Sequence, residues 1–235
     1  MVRKPIDKTM SDIADAFHAF LDSAHVRRAI FPVRFLVRRE PGDILPADWR
    51  DAAFLDPTKA LRVAARGGRS AYIRILASRP GVDISDFDGL LRSAQSSGSA
   101  ETLKAVMRLY EWETIRLNIP GLFIDAASKG YTDIVRLLLP RVDQDTKEIG
   151  LGYACQFNRE ETAVFLLDNG VDPNSHEGWP LREAAARNNI PLVELLLARG
   201  ADPRVRDNMA LRYAEIYHHP EIARLLRAHI SRLEG

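Results

Sequence analysis

The 235-residue chain has a single cysteine, Cys155. It has no partner within the chain, so no internal disulfide forms, and a reducing compartment fits this count. No apolar run approaches the roughly 18 residues that a membrane-spanning helix needs. The opening MVRKPIDKTMSDIADAF lacks the apolar stretch and small-residue cleavage site of a secretory signal. Charge of one sign is lacking too, since the net charge is +1. Residues 1–80 carry +6 and residues 81–235 carry −5, which can orient a charged partner but falls short of the basic stripe of a nucleic-acid binder. Arg27, Arg28, Arg34, Arg38 and Arg39 read as the solvated face of a helix.

Chemistry-bearing constellations are equally scarce. Gly67-Gly68-Arg69-Ser70 lacks the lysine and preceding strand of a phosphate loop. His176 stands beside Glu177 with no cysteine or second spaced histidine to complete a metal site. No Ser/His/Asp, Cys/His or paired-carboxylate set recurs on one inferred surface. These absences predict no catalytic residues, no metal and no cofactor, no nucleic-acid or membrane partner, and a monomeric, cytoplasmic protein; nuclear placement or signal-independent export fits them as well.

What the chain does contain is repetition. LREAAARNNIPLVELLLARGADP (181–203) recurs as LRYAEIYHHPEIARLLRAH thirty residues on and as LGYACQFNREETAVFLLDNGVDP thirty residues before. Aligned on Ala24, Ala64, Ala94, Ala126, Ala154, Ala184 and Ala214, seven copies follow one another at gaps of 40, 30, 32, 28, 30 and 30 residues. Each copy reads as two short helices. The first opens at a leucine or Phe123, and small residues such as Ala184-Ala185 allow close approach of neighbouring backbones. A turn follows at Gly68, Gly98, Gly130, Asn158, Asn188 and His218, mostly the residue types that end a helix left-handed. The second helix carries an apolar stripe such as Ile134-Val135-Leu137-Leu138 and stops at Gly170 or Gly200 ahead of Asp-Pro. A unit this small cannot bury its apolar face alone, so the copies must stack.

The pattern resembles the ankyrin-repeat family over roughly residues 21–229. It rests on Leu181, Ala184-Ala185, Asn188, Leu192-Val193, Leu195-Leu196 and Gly200-Ala201-Asp202, and on the segment Gly130–Leu138. The resemblance implies an all-α solenoid of about seven stacked helix pairs. Residues 1–20 are expected to cap it, residues 21–235 to form the repeat domain, and residues 43–56 to be an insertion that either packs or, through Trp49, docks a partner. Two departures stand out. The usual Thr-Pro-Leu-His turn is eroded to Trp179-Pro180-Leu181-Arg182, and the spacing from Gly200 to Leu211 predicts fingers about three residues short of the usual period of about 33.

The resemblance further implies a non-catalytic protein–protein interaction module or adaptor, its partner another protein held on the concave face. A regulatory subunit that blocks a partner enzyme is the alternative, with an enzyme built on the loops behind it. The positions two and six after each first-helix leucine should line that face. They place Tyr153, Phe157, Glu183, Arg187, Tyr213 and Tyr217 together, with Trp179 close by. Aromatic residues and arginine dominate binding hot spots, so this set is the candidate partner-binding patch. The competing reading is that the tyrosines cover the short fingers and pack between repeats. Cys155, beside Ala154, reads as a buried apolar thiol.

Overall fold

The computed structural model describes residues 57–77 and 81–234. The expected cap at 1–20, the first copy, the 43–56 insertion and the arginines from Arg27 to Arg39 lie outside the described residues. The chain divides into two compact units, Met1–Ala60 and Leu61–Gly235; from Leu61 onward the repeats described below belong to the second.

The described residues are helical and contain no strand. Six helix pairs follow one another: α1 (Pro57–Arg66) with α2 (Ser70–Ala77), α3 (Phe87–Ser96) with α4 (Ala100–Met107), and, after the single turn α5 (Trp112–Ile115), α6 (Ile119–Lys129) with α7 (Thr132–Leu138). Then come α8 (Gln144–Gln156) with α9 (Glu160–Asp168), α10 (Ser175–Ala186) with α11 (Ile190–Ala198), and α12 (Val205–Ile216) with α13 (Pro220–Glu234). A 3-10 turn at Leu139–Arg141 links α7 to α8.

Each pair is built by the same local chemistry. Asp86, Ser99 and Asp143 cap α3, α4 and α8 by accepting a hydrogen bond from an amide in the first turn. The turn between paired helices is left-handed at every position the sequence marked: φ is 71° at Gly68, 70° at Gly98, 78° at Gly130, 56° at Asn158, 57° at Asn188 and 59° at His218. The exits at Gly170 and Gly200 are left-handed as well.

First helices pack side by side, α6 on α8, α8 on α10 and α10 on α12, and the second helices form a second layer behind them. Between the layers lie Leu151, Leu181, Leu192, Leu196 and Leu226, all fully buried, with Ala126-Ala127, Ala154 and Ala184-Ala185 where backbones approach. Burial of each such leucine contributes about 1.5–3 kcal/mol. This is the stacked array that the period required.

Polar bonds fix the register between pairs. The hydroxyls of Thr132 and Thr162 meet at 2.9 Å in the interior. Gln95 donates through Nε2 to the Leu122 carbonyl at 3.0 Å, and Arg159 donates through Nε to the Ser128 carbonyl at 2.9 Å. The fingers are joined by Asn174, whose amide donates to the Gly200 carbonyl at 2.9 Å and whose oxygen accepts from the Asp202 amide at 2.7 Å.

The short fingers have an unexpected geometry. Three consecutive residues, His176-Glu177-Gly178 and again Arg206-Asp207-Asn208, adopt left-handed dihedrals before the helix proper begins at Trp179 and Met209. A left-handed turn therefore stands in for the missing residues of each finger. It also places Pro180 in the first regular turn of its helix, where its missing N–H costs nothing.

Candidate functional site

The residues singled out in the sequence sit on α8, α10 and α12, the first helices of the last three pairs. Tyr153 of α8 and Phe157, the residue that caps its C-terminus, are one turn apart and their rings lie nearly parallel, with centroids 6.3 Å apart and an interplanar angle of 8°. Trp179 of α10 meets Tyr153 edge to face at 5.3 Å. The Trp179 indole N–H donates to Glu183 Oε1 at 3.2 Å, and the other carboxylate oxygen lies 4.0 Å from Arg187 Nε. Tyr153, Phe157, Trp179, Glu183 and Arg187 thus form one connected chain of contacts across two repeats.

Tyr213 and Tyr217 form a second cluster on α12, edge to face at 6.1 Å. Tyr217 also stacks on His219 at 6.3 Å, whose Nε2 lies 3.1 Å from the Ala186 carbonyl oxygen. No ring contact joins the two clusters among the described residues. The outer members are open to solvent: Phe157 is 46% exposed, Tyr217 55% and neighbouring Ile216 62%. Tyr153, Trp179 and Tyr213 are half-buried.

Two residues that the sequence reading left out of the patch shape this surface. Gly152 lies under the indole: a Cβ built there would fall 2.2 Å from Trp179 Cε3 and 2.4 Å from Cζ3. Gly150, two residues earlier, gives the same room to the Phe123 ring, at 2.6 Å from Cε1. Glycine inside a helix is unfavourable by about 1 kcal/mol relative to alanine, so the Gly-Leu-Gly run within the fifth copy was itself the signal. The other omission is His176, whose ring meets Trp179 edge to face at 6.2 Å and whose Nε2 lies 3.6 Å from Asp145 Oδ1.

Cys155 lies beneath this face and is fully buried. Burial first, and the Glu183 charge second, push its thiol far above the ordinary range, so it behaves as an apolar side chain rather than a nucleophile. No group of three or more histidine, cysteine, aspartate or glutamate side chains able to hold a metal occurs among the described residues. No described helix is long and apolar enough to cross a membrane. A shallow groove of about 240 Å³ lies between α11 and α13, lined by Leu197, Leu225 and Ala228 with Glu194, His229 and Arg232 at its polar edges. It shares no residue with the aromatic clusters. What the aromatic face offers is broad amphipathic rings, one engaged carboxylate and arginine: equipment for contact.

Residues 122–207 and, overlapping them, 153–234 match the family described as ankyrin repeats (3 copies). Putative ankyrin repeat protein L371 of Acanthamoeba polyphaga mimivirus is 38% identical over 79 residues, which make up 31% of this chain and 10% of that protein. Ankyrin repeat and SOCS box protein 5 of Oryctolagus cuniculus is 31% identical over 105 residues, 42% of this chain and 32% of that protein. The chain thus matches about a tenth and about a third of the length of these two curated relatives. The crystal structure of the human ASB11 ankyrin repeat domain is similar at a TM-score of 0.56 and 20% identity, over 86% of this chain and 93% of that one. At that identity the likeness shows the fold, an all-α repeat solenoid.

Proposed function

Because the chain is an ankyrin-repeat protein, with its matched copies across residues 122–234, and such repeats are generally protein–protein interaction modules, we propose that it is a non-catalytic adaptor. It holds a partner protein on the first-helix face of its last three pairs. The supporting observation is the exposure of the aromatic set. Rings that served only to pack repeats together would be covered, yet Phe157 and Tyr217 leave about half their surface in water. Exposed aromatic and arginine side chains gathered on one face are the usual makings of a binding hot spot. The half-buried Tyr153, Trp179 and Tyr213 hold this surface rigid, which reduces the ordering cost of association.

Co-purification of the chain from its native host, followed by mass spectrometry, identifies the partner. The variants Phe157→Ala and Tyr217→Ala then test the surface. Exposed substitutions away from special features shift stability by only about 0.5 kcal/mol, so the melting temperature should hold while capture of the partner falls at least about tenfold. Unchanged capture with a lowered melting temperature would make the rings packing elements and overturn the assignment. Turnover of a substrate by the isolated chain would overturn the adaptor itself.

A further inference from the structure

The helix register lays the same face out as a grid. Trp179, Arg182, Glu183 and Arg187 share one side of α10, and Met209, Arg212, Tyr213 and Tyr217 occupy the corresponding side of α12. Glu183 on this face accepts from the Trp179 indole, and Glu177 at its edge pairs with Arg206 at 2.8 Å. The arginines are not matched in the same way. Arg182 is half-buried, and its Nε is enclosed with no acceptor among the described residues. Arg212, the next in the same row, is exposed and makes no ion pair with a described residue.

The molecule shows what this row does when an acid is at hand. Arg62 occupies the same position in its own repeat, one residue after the helix leucine, and pairs with Asp86 at 2.7 Å. Asp86 lies five residues ahead of Leu91, the leucine of the following repeat. The residue five ahead of Leu211 is Arg206, itself paired with Glu177, so the position that neutralises Arg62 supplies no acid to Arg182. A carboxylate is the planar anion that a guanidinium fork receives best.

Building on the adaptor reading, we infer that the partner segment held here is acidic: a peptide that places an Asp or Glu carboxylate on Arg182 and Arg212 and a bulky apolar side chain on the Tyr153–Phe157–Trp179 cluster. The carboxylate sets direction and register, and the rings supply contact area.

The test pans a display library of random twelve-residue peptides against the full chain and measures one enriched peptide by fluorescence polarisation. Enrichment of Asp or Glu within a few residues of Trp, Tyr, Phe or Leu is expected. Arg182→Gln and Arg212→Gln should each weaken that peptide about tenfold, while Arg92→Gln, in the same row two repeats away from the aromatic end, leaves it unchanged. Changing the peptide's acid to its amide should cost as much, with no further loss in the arginine variants. Arg212 is exposed, so its variant reads binding free of any effect on folding. Peptides without acids that lose binding to Phe157→Ala but not to the arginine variants would overturn the carboxylate and leave the adaptor surface standing. Peptides indifferent to Phe157→Ala and Tyr217→Ala, or no enrichment at all, would overturn both.

Discussion

Replacing Gly152 by alanine sets two effects of known size against each other. Alanine is favoured over glycine inside a helix by about 1 kcal/mol, so at an open position in α8 the change stabilises. At Gly152 the new methyl group would lie 2.2 Å from Trp179 Cε3, 2.4 Å from Cζ3 and 2.7 Å from Cδ2. Carbon atoms rest at about 3.5–4.0 Å, so the indole has to retreat by more than about 1 Å. Overpacking of this kind costs about 1–3 kcal/mol. The retreat also disturbs the edge-to-face contact with Tyr153 at 5.3 Å and the bond to Glu183, each worth about 1 kcal/mol. Steric loss outweighs propensity, and Gly152→Ala is expected to destabilise the chain by about 1–2 kcal/mol in urea titration, with an altered near-ultraviolet circular dichroism band. The decisive measurement is the double variant. Once Trp179→Ala has removed the indole, Gly152→Ala has nothing to strike and should stabilise by up to about 1 kcal/mol, reversing its sign. If Gly152→Ala stabilises the parent chain, or behaves alike in both backgrounds, the indole does not rest on the glycine and the described surface is wrong.

The other predictions concern the frame that carries this surface. His218 is a non-glycine residue at φ 59°, so His218→Gly should raise stability by about 0.5–1 kcal/mol, whereas Gly130→Ala, at φ 78° and with Arg159 Cδ 2.9 Å from the added Cβ, should lower it by at least about 1 kcal/mol; melting curves decide both. Thr132→Val alone strands the Thr162 hydroxyl that it meets at 2.9 Å and should cost about 1–3 kcal/mol, while the double valine variant recovers most of the loss. Asp143, the cap of α8, is held below its ordinary 3.8 by the Thr146 hydroxyl and then the Thr146 amide. Its folded pKa is depressed, so its contribution is present above 3.8 and disappears as pH falls through the folded value. The melting-temperature gap between parent and Asp143→Asn should therefore be widest near about pH 6 and narrow toward about pH 3.

The frame was legible in the sequence because stacking imposes the same demand every thirty residues or so. An alanine pair, a leucine pair and a left-handed turn residue recur wherever one pair must meet the next, and His218 could be placed in a left-handed turn from register alone. The fingers were less legible. Their shortness could be counted, but three left-handed residues in succession at His176–Gly178 and Arg206–Asn208 depart from the single left-handed residues that local preference supports, and only the closure of α10 and α12 onto their neighbours enforces them. The aromatic face was legible as a set of positions, since spacing fixes which residues share a helix side. Its division into two clusters was not, because that depends on ring orientation. Nor was the Trp179–Glu183 bond, although the two lie at i and i+4. Gly152 was legible in principle: an interior helical glycine with no turn to serve asks what lies against it.

The same period also gives meaning to its exceptions. Ala65, Gln95, Ala127, Cys155 and Ala185 occupy one row and are all buried. Gln95 shows which way the row faces, because its amide reaches the Leu122 carbonyl of the following pair. In the last described pair this row holds Glu215, which is exposed. A second row runs Met107, Leu139, Leu167, Leu197 and ends in Arg227. Charge thus replaces apolar side chains at two positions in the same repeat, and the two replacements pair with each other. A like pair stacking on α12 and α13 would have to bury that ion pair, and desolvating two charges is costly even when they remain bonded. Polar outer faces of this kind keep terminal repeats from sticking end to end. The charged substitutions at Glu215 and Arg227 thus close the stacking direction, while Phe157, Tyr217 and Arg212 remain open on the perpendicular face. On the adaptor reading proposed above, a partner uses the side of the array rather than the face that Glu215 and Arg227 occupy.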